Sequence, residues 1–134
     1  MKKIFFDTHI FLDLLMNRSF AGEAEILLEQ VVEGRIDGVV ADITLLDLNY
    51  IAGKQQKDLR DFFDLINSSF QVIGADNAAI KEALEISESD LEKSLLYVLA
   101  QRAKADAIVS NDRTFPRRGV RILSSPRCAE EFSR

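Results

Sequence analysis

Cysteine and histidine each occur once in this chain, as Cys128 and His9. A single cysteine excludes an internal disulfide and fits a reducing compartment. One residue of each kind cannot build a Cys/His zinc site, so a bound metal would have to rest on carboxylates. Long apolar runs are missing too, with nothing near the ~18 residues of a membrane span. Met1–Phe6 has the basic start of a signal peptide, but Asp7 interrupts the apolar stretch and no cleavage region follows. The expectation is a cytoplasmic protein with no membrane association. Glycine-rich phosphate loops of the P-loop or dinucleotide type are absent. So is a nucleophile elbow, which leaves His9 outside any recognisable Ser-His-Asp triad. No long linker, low-complexity segment or internal repeat divides the chain.

What is present describes an ordinary globular domain. The 134 residues are 47% apolar and 29% charged, which suits a single domain over residues 1–134. The net charge of −5 is unevenly spread. Residues 1–92 hold 8 Lys/Arg against 18 Asp/Glu, and residues 93–134 hold 9 against 4. The C-terminal third is therefore basic, either as a local phosphate-binding face or as solvated surface charge.

Short apolar runs alternate with helical periodicity. Strands are predicted at 3–6, 38–41, 70–76, 107–110 and 119–124. Ala24, Leu27, Leu28, Val31 and Val32 share a helical face that Gly34 closes. Further helices place Leu45, Leu48, Ile51 and Ala52 on one side, then Leu59, Phe62, Phe63 and Ile66. A third follows Asp76, and a long amphipathic one spans 89–105. The strands read as continuous apolar runs, so both faces are covered. This predicts a three-layer α/β/α fold around a central parallel sheet.

Two strands stop abruptly at an acid: "KIFF" at Asp7 and "AIVS" at Asn111-Asp112. In open α/β sheets, sites form at the carboxyl ends of strands. Asp47, in the helix after the second strand, and Asp90 and Glu92, at the start of the long helix, would converge on the same end. Packed carboxylates repel, and a divalent cation with hard oxygen ligands resolves that repulsion. Each acid also has a structural reading. Asp112 fits an Asx turn, and "TLLD" and "SDLE" fit capping boxes from Thr44 and Ser89, the latter favoured for Glu92. Asp90 suits a helix dipole, and Asp42 and Asp76 read as N-caps. Cys128 reads as a packing residue. A phospho-acceptor receiver domain also has an acidic cleft. However, "FFD" gives one acid at the first strand rather than two, and no lysine follows Lys104.

The order of these pieces resembles the PIN domain family over nearly the whole chain. "FFDTHIFLDLL" is similar to the family's opening, with Asp7 and Thr8 matching and His9 replacing an Asn. "GVVADITLLDLNYI" is similar to its second motif, with Asp47 in place of a Glu. "SDLEKSLLYVLAQRAKADAIVSNDRTF" is similar to the third and fourth motifs, where Asp90, Glu92, Leu95, Asn111, Asp112 and Phe115 match. The family's third acid falls on Lys93, and the acid after "ND" falls on Thr114.

The resemblance implies a Mg²⁺- or Mn²⁺-dependent endoribonuclease, the toxin of a toxin–antitoxin pair, often a homodimer and restrained by an antitoxin protein. Its ion would be held by Asp7, Asp47, Asp112 and Asp90, the last one helical turn from the expected third acid. Thr8, Ser110 and Asn111 would orient water or phosphate. Lys93 would either neutralise the cluster or grip a phosphate. Arg113, with Arg117 and Arg118, would follow the RNA backbone. The alternative implied by Lys93 and by the shortened Asp47 is a PIN-fold module that binds RNA or a protein partner without cutting.

Overall fold

A computed structural model describes residues 1–55, 58–86, 90–112, 114–116 and 119–132. Strand β1 (Lys2–Phe6) is followed by helices α1 (Thr8–Leu15) and α2 (Ala21–Val32), then β2 (Ile36–Ala41), α3 (Asp42–Lys54), α4 (Arg60–Ser69) and β3 (Gln71–Ile73). The second half runs α5 (Asn77–Ile86), α6 (Leu91–Arg102), β4 (Ala107–Val109), β5 (Arg121–Leu123) and α7 (Ser125–Phe132). The five strands form one parallel sheet in the order β3-β2-β1-β4-β5. The predicted three-layer parallel α/β fold is the one observed. Among the described residues, no helix is long and apolar enough to cross a membrane.

Strand alternation divides the core in two. Ile4, Phe6, Val40 and Val109 face one cluster, packed with Leu27 and Val31 of α2, Ile66 of α4 and Cys128 of α7. Phe5, Val39, Ala41 and Ile108 face the other, packed with Ala79 and Ala83 of α5 and with α6. Both faces of the central strands are thus covered over residues 4–6, 38–41 and 107–109, which is why those stretches read as apolar runs; β2 begins earlier, at Ile36, and includes Asp37. Helix α6 corrects the amphipathic reading of 89–105: Ser94–Ala100 are all buried. This middle stretch packs among the sheet, α5 and Phe115, while Leu91, Glu92 and Arg102 at its ends are exposed. Phe5, Phe6, Phe11 and Phe70 are buried, and Phe62 and Phe63 are partly covered.

Two helices carry no clear periodic signal. α1 begins at the residue after Asp7 and buries Ile10, Phe11 and Leu12 in succession. α7 buries only Ser125, Cys128 and Ala129. Its Pro126 sits in the first turn, where a missing N–H costs nothing.

Candidate functional site at the strand ends

The strand order reverses between β1 and β4, so the crevice of this sheet opens beyond Phe6 and Val109. Asp7 and Ser110 are the next residues on either side. The Asp7 N–H donates to the Val109 carbonyl at 3.1 Å, which carries the β1–β4 pairing up to the site. Asp7 is only 3% exposed. Desolvation pushes its carboxyl above the ordinary carboxylate range, against the pull of the Ser110 hydrogen bond and of the His9 charge. The Ser110 hydroxyl donates to Asp7 Oδ2 at 2.8 Å and accepts from the Asp112 N–H at 3.0 Å. One hydroxyl therefore fixes both strand ends. His9 is exposed on the first turn of α1.

Lys93 occupies the far flank. Its Nζ lies 2.5 Å from Asp112 Oδ2 and 3.7 Å from Asp90 Oδ2, and it donates to Thr114 Oγ1. The ring of Phe115 lies beneath it, 5.8 Å from the ammonium to the centroid. The side chain is 17% exposed. Desolvation lowers the Lys93 pKa, but the bond to Asp112 and the charges of Asp112, Asp90 and Asp7 outweigh it and hold the pKa up. Desolvation likewise raises Asp112, but the bonds from Lys93 and Thr114 bring its carboxyl down to about 2. Thr114 donates to Asp112 Oδ1 through both its N–H (2.9 Å) and its hydroxyl (2.7 Å), so the turn after β4 is closed by that carboxylate. The Asx turn and the ion pair use the same side chain.

The third part of the cluster is a carboxyl pair. Interaction with the Asp47 carboxyl, then partial desolvation and the charges of Asp47, Asp90 and Asp7, raise Glu92 to about 7. Two carboxyls close together disfavour the second charge. The capping-box reading of Glu92 gives way here, because the observed cap of α6 is Asp90, which accepts from the Lys93 N–H at 3.0 Å. Ser89, the other half of that box, lies outside the described residues. The box proposed for Asp47 also fails, since α3 begins at Asp42 and puts Thr44 inside the helix. Asp42 is a first-turn residue rather than an N-cap. Asp76 does cap α5, accepting from the Ala79 N–H at 2.8 Å.

The remaining candidates are tied to structure. Thr8 and Thr44 share a buried hydroxyl–hydroxyl bond of 2.7 Å that joins α1 to α3. The Asn111 amide turns to α7: Oδ1 accepts from the Ser125 N–H at 2.8 Å, and Nδ2 donates to Ser125 Oγ at 2.9 Å. Arg113, Arg117 and Arg118 lie outside the described residues. Cys128 is buried, and desolvation pushes its thiol up to about 12, so it packs rather than reacts. Beside the Ser110–Asp112 turn is a cleft of ≈ 520 Å³ that the sequence did not signal, bordered by Phe20 and Arg127. Among the described residues, no three Asp, Glu, His or Cys side chains stand grouped as a ready-made metal shell.

Comparison with known proteins agrees with this architecture. Residues 3–114 match the family model described as "PIN domain". Over 143 aligned residues the chain is 24% identical to Ribonuclease VapC1 of Aquifex aeolicus (strain VF5), covering 98% of this chain and 96% of the relative. A toxin–antitoxin complex from Klebsiella pneumoniae contains a chain with the same fold, with a TM-score of 0.70 at 18% identity. That alignment covers 91% of this chain and 97% of the other.

Proposed function

The chain belongs to the PIN domain family, and from that premise we propose that it is a divalent-metal-dependent endoribonuclease, the toxin of a toxin–antitoxin pair. The ribonuclease reading draws on the relative from Aquifex aeolicus. The observation that supports it is a line of acids along one end of the sheet: Ser110 joins Asp7 to Asp112, Lys93 bridges Asp112 and Asp90, and the charges of Asp47, Asp90 and Asp7 act on Glu92.

The donor chemistry fits a hard divalent cation. The available ligands are all carboxylate oxygens. Asp7 is held up by desolvation, and Glu92 is held up by its interaction with Asp47. Both are conditions that added positive charge relieves. Asp7, Asp47, Glu92 and Asp112 would hold Mg²⁺ or Mn²⁺, with Asp90 capping α6 beside them. When bound, the ion supplies an activated water and stabilisation of the charge that develops on the phosphate. The chain's own residues do the rest. Ser110 fixes Asp7 against rotation and holds the Asp112 backbone. Lys93 supplies positive charge against an incoming phosphate. Thr8 and Asn111 hold α1, α3 and α7 in place around the site.

The test is cleavage of a mixed RNA pool by the purified protein. The expected result is endonucleolytic products with Mg²⁺ or Mn²⁺, and none after EDTA. RNA that binds but stays intact with either ion would support the non-cutting module instead.

Lys93 is the observation that favours that second reading, because its ammonium competes for Asp112. Lys93→Gln removes the competitor and should tighten Mn²⁺ binding on the order of tenfold, from a charge interaction at a partly exposed site. A calorimetric Mn²⁺ isotherm unchanged by the substitution would put Lys93 outside the ligand competition.

An antitoxin partner belongs to the same reading. It is supported by the structural relative, which is a toxin–antitoxin complex. An apolar groove of ≈ 530 Å³ between α1, α2 and α4 also supports it, with Leu28, Phe62 and Leu65 lining it and Glu25, Glu29 and Glu33 along α2. That combination suits a basic amphipathic helix.

A further inference from the structure

The cleft beside the Ser110–Asp112 turn has features that the acid cluster leaves unexplained. It measures ≈ 520 Å³, within the range of small-molecule sites. Its borders are Phe20 at the head of α2 and Ser124 and Arg127 at the head of α7. Phe20 is 39% exposed, and it has no aromatic partner among the described residues. Arg127 is exposed, and among the described residues its guanidinium makes no ion pair. Among the described residues, the only acid lining the cleft is Asp112, which is already paired with Lys93. The pocket therefore joins a partly exposed aromatic ring, an unpaired cation and a neutralised wall, and it shares Ser110 and Asp112 with the proposed cleavage site.

We propose that this cleft is the subsite for one nucleotide of single-stranded RNA next to the cleaved phosphate, with its base stacked on Phe20 and its phosphate held by Arg127. The inference rests on the ribonuclease reading and adds to it where the substrate lies. An aromatic platform joined to a cation is how unpaired bases are held without base-specific hydrogen bonds. Stacking of this kind tolerates any base, so the subsite would set position along the strand rather than sequence.

The experiment uses full-length protein carrying Asp7→Asn, so that RNA stays intact, with a short fluorescein-labelled single-stranded RNA followed by anisotropy. Phe20→Leu keeps an apolar side chain but removes the ring, and should weaken binding on the order of tenfold, while Phe20→Trp holds it. Arg127→Gln should weaken binding and flatten its salt dependence. A thermal melt shows whether each variant is folded. Unchanged affinity in folded Phe20→Leu and Arg127→Gln overturns the subsite alone. A change of oligomeric state in Phe20→Leu with unchanged RNA affinity also overturns it, and would make the face a protein contact. RNA bound by none of these proteins, with none cut by the wild type, overturns the ribonuclease reading and the subsite with it.

Discussion

Asp7→Asn lowers metal-dependent RNA cleavage at least about 100-fold and leaves the melting temperature where it was or higher; both halves of that expectation follow from one environment. Substituting residues that merely support a metal ligand costs about 10–100-fold, so removing a central carboxylate should cost no less. Stability turns on a different balance. The Ser110 hydroxyl donates to Asp7 at 2.8 Å, and an Asn oxygen accepts the same bond. A bond to a charged acceptor is worth about 1.5–3 kcal/mol and one to a neutral acceptor about 0.5–1.5, so some hydrogen-bond energy is lost. Against this, burial at 3% exposure penalises the charge, and because the Asp7 pKa is raised, that penalty outweighs the hydrogen bonds that favour the charged form. A folded state that favours the neutral carboxyl does not object to a neutral amide. The two measurements are initial rates on a fluorogenic RNA and a thermal melt on the same preparation. Cleavage that survives would remove Asp7 from the mechanism. Cleavage lost together with a large fall in melting temperature would mean that the charge is structural.

Much of this is legible because burial writes itself into composition. β1, β2 and β4 lie at the centre of the sheet, and their buried stretches (residues 4–6, 38–41 and 107–109) are apolar runs, so an acid that ends such a run stands out. Asp7 and Asp112 are visible for that reason. The edge strands are shorter than their apolar context suggests: Gln71–Ile73 against the predicted 70–76, and Arg121–Leu123 against 119–124. Periodicity locates α2, α3 and α4 because each buries one stripe. It misjudges α6, whose middle stretch is buried all round, and passes over α7, which buries too few apolar residues to leave a pattern. Inside the site, the limit lies between local and non-local partners. That Asp76 caps α5 can be read from a few adjacent residues. That Glu92 meets Asp47 cannot, because the pair depends on where α3 and α6 stand relative to each other. The same applies to Thr8 with Thr44, to Asn111 with Ser125, and to Phe20 and Arg127 lining one cleft. Lys93 stands out as a departure from the family pattern, but the local spacing that makes Asp90 a cap gives no hint of its contact with Asp112.

Gly38 shows how the sheet beneath the site is held, and Gly38→Ala should lower stability on the order of 1–2 kcal/mol. Strand propensity argues the other way, since replacing a glycine inside a regular element by alanine gains roughly 0.5–1 kcal/mol of backbone entropy. Space decides the sign. A Cβ at position 38 would stand 2.7 Å from Phe70 Cδ2 and Cε2 and 2.8 Å from Val31 Cγ1. The Phe70 ring cannot easily withdraw, because it packs edge-on against Phe6 at 5.0 Å and against Phe11 at 5.7 Å. Overpacking of this kind costs about 1–3 kcal/mol, which exceeds the entropic gain. For a chain of this size the expected fall in melting temperature is about 3–8 °C. Phe70→Leu in the Gly38→Ala background should recover part of the loss, although Phe70→Leu alone is destabilising, because the two residues compete for one space. A Gly38→Ala protein that melts at or above the wild-type temperature would show that Phe70 and Val31 yield freely. The outcome bears on the site because Gly38 pairs with Ile4 in β1, and Phe6, the ring against which Phe70 packs, is the residue before Asp7. Strain at Gly38 therefore reaches the carboxylate through a single aromatic contact.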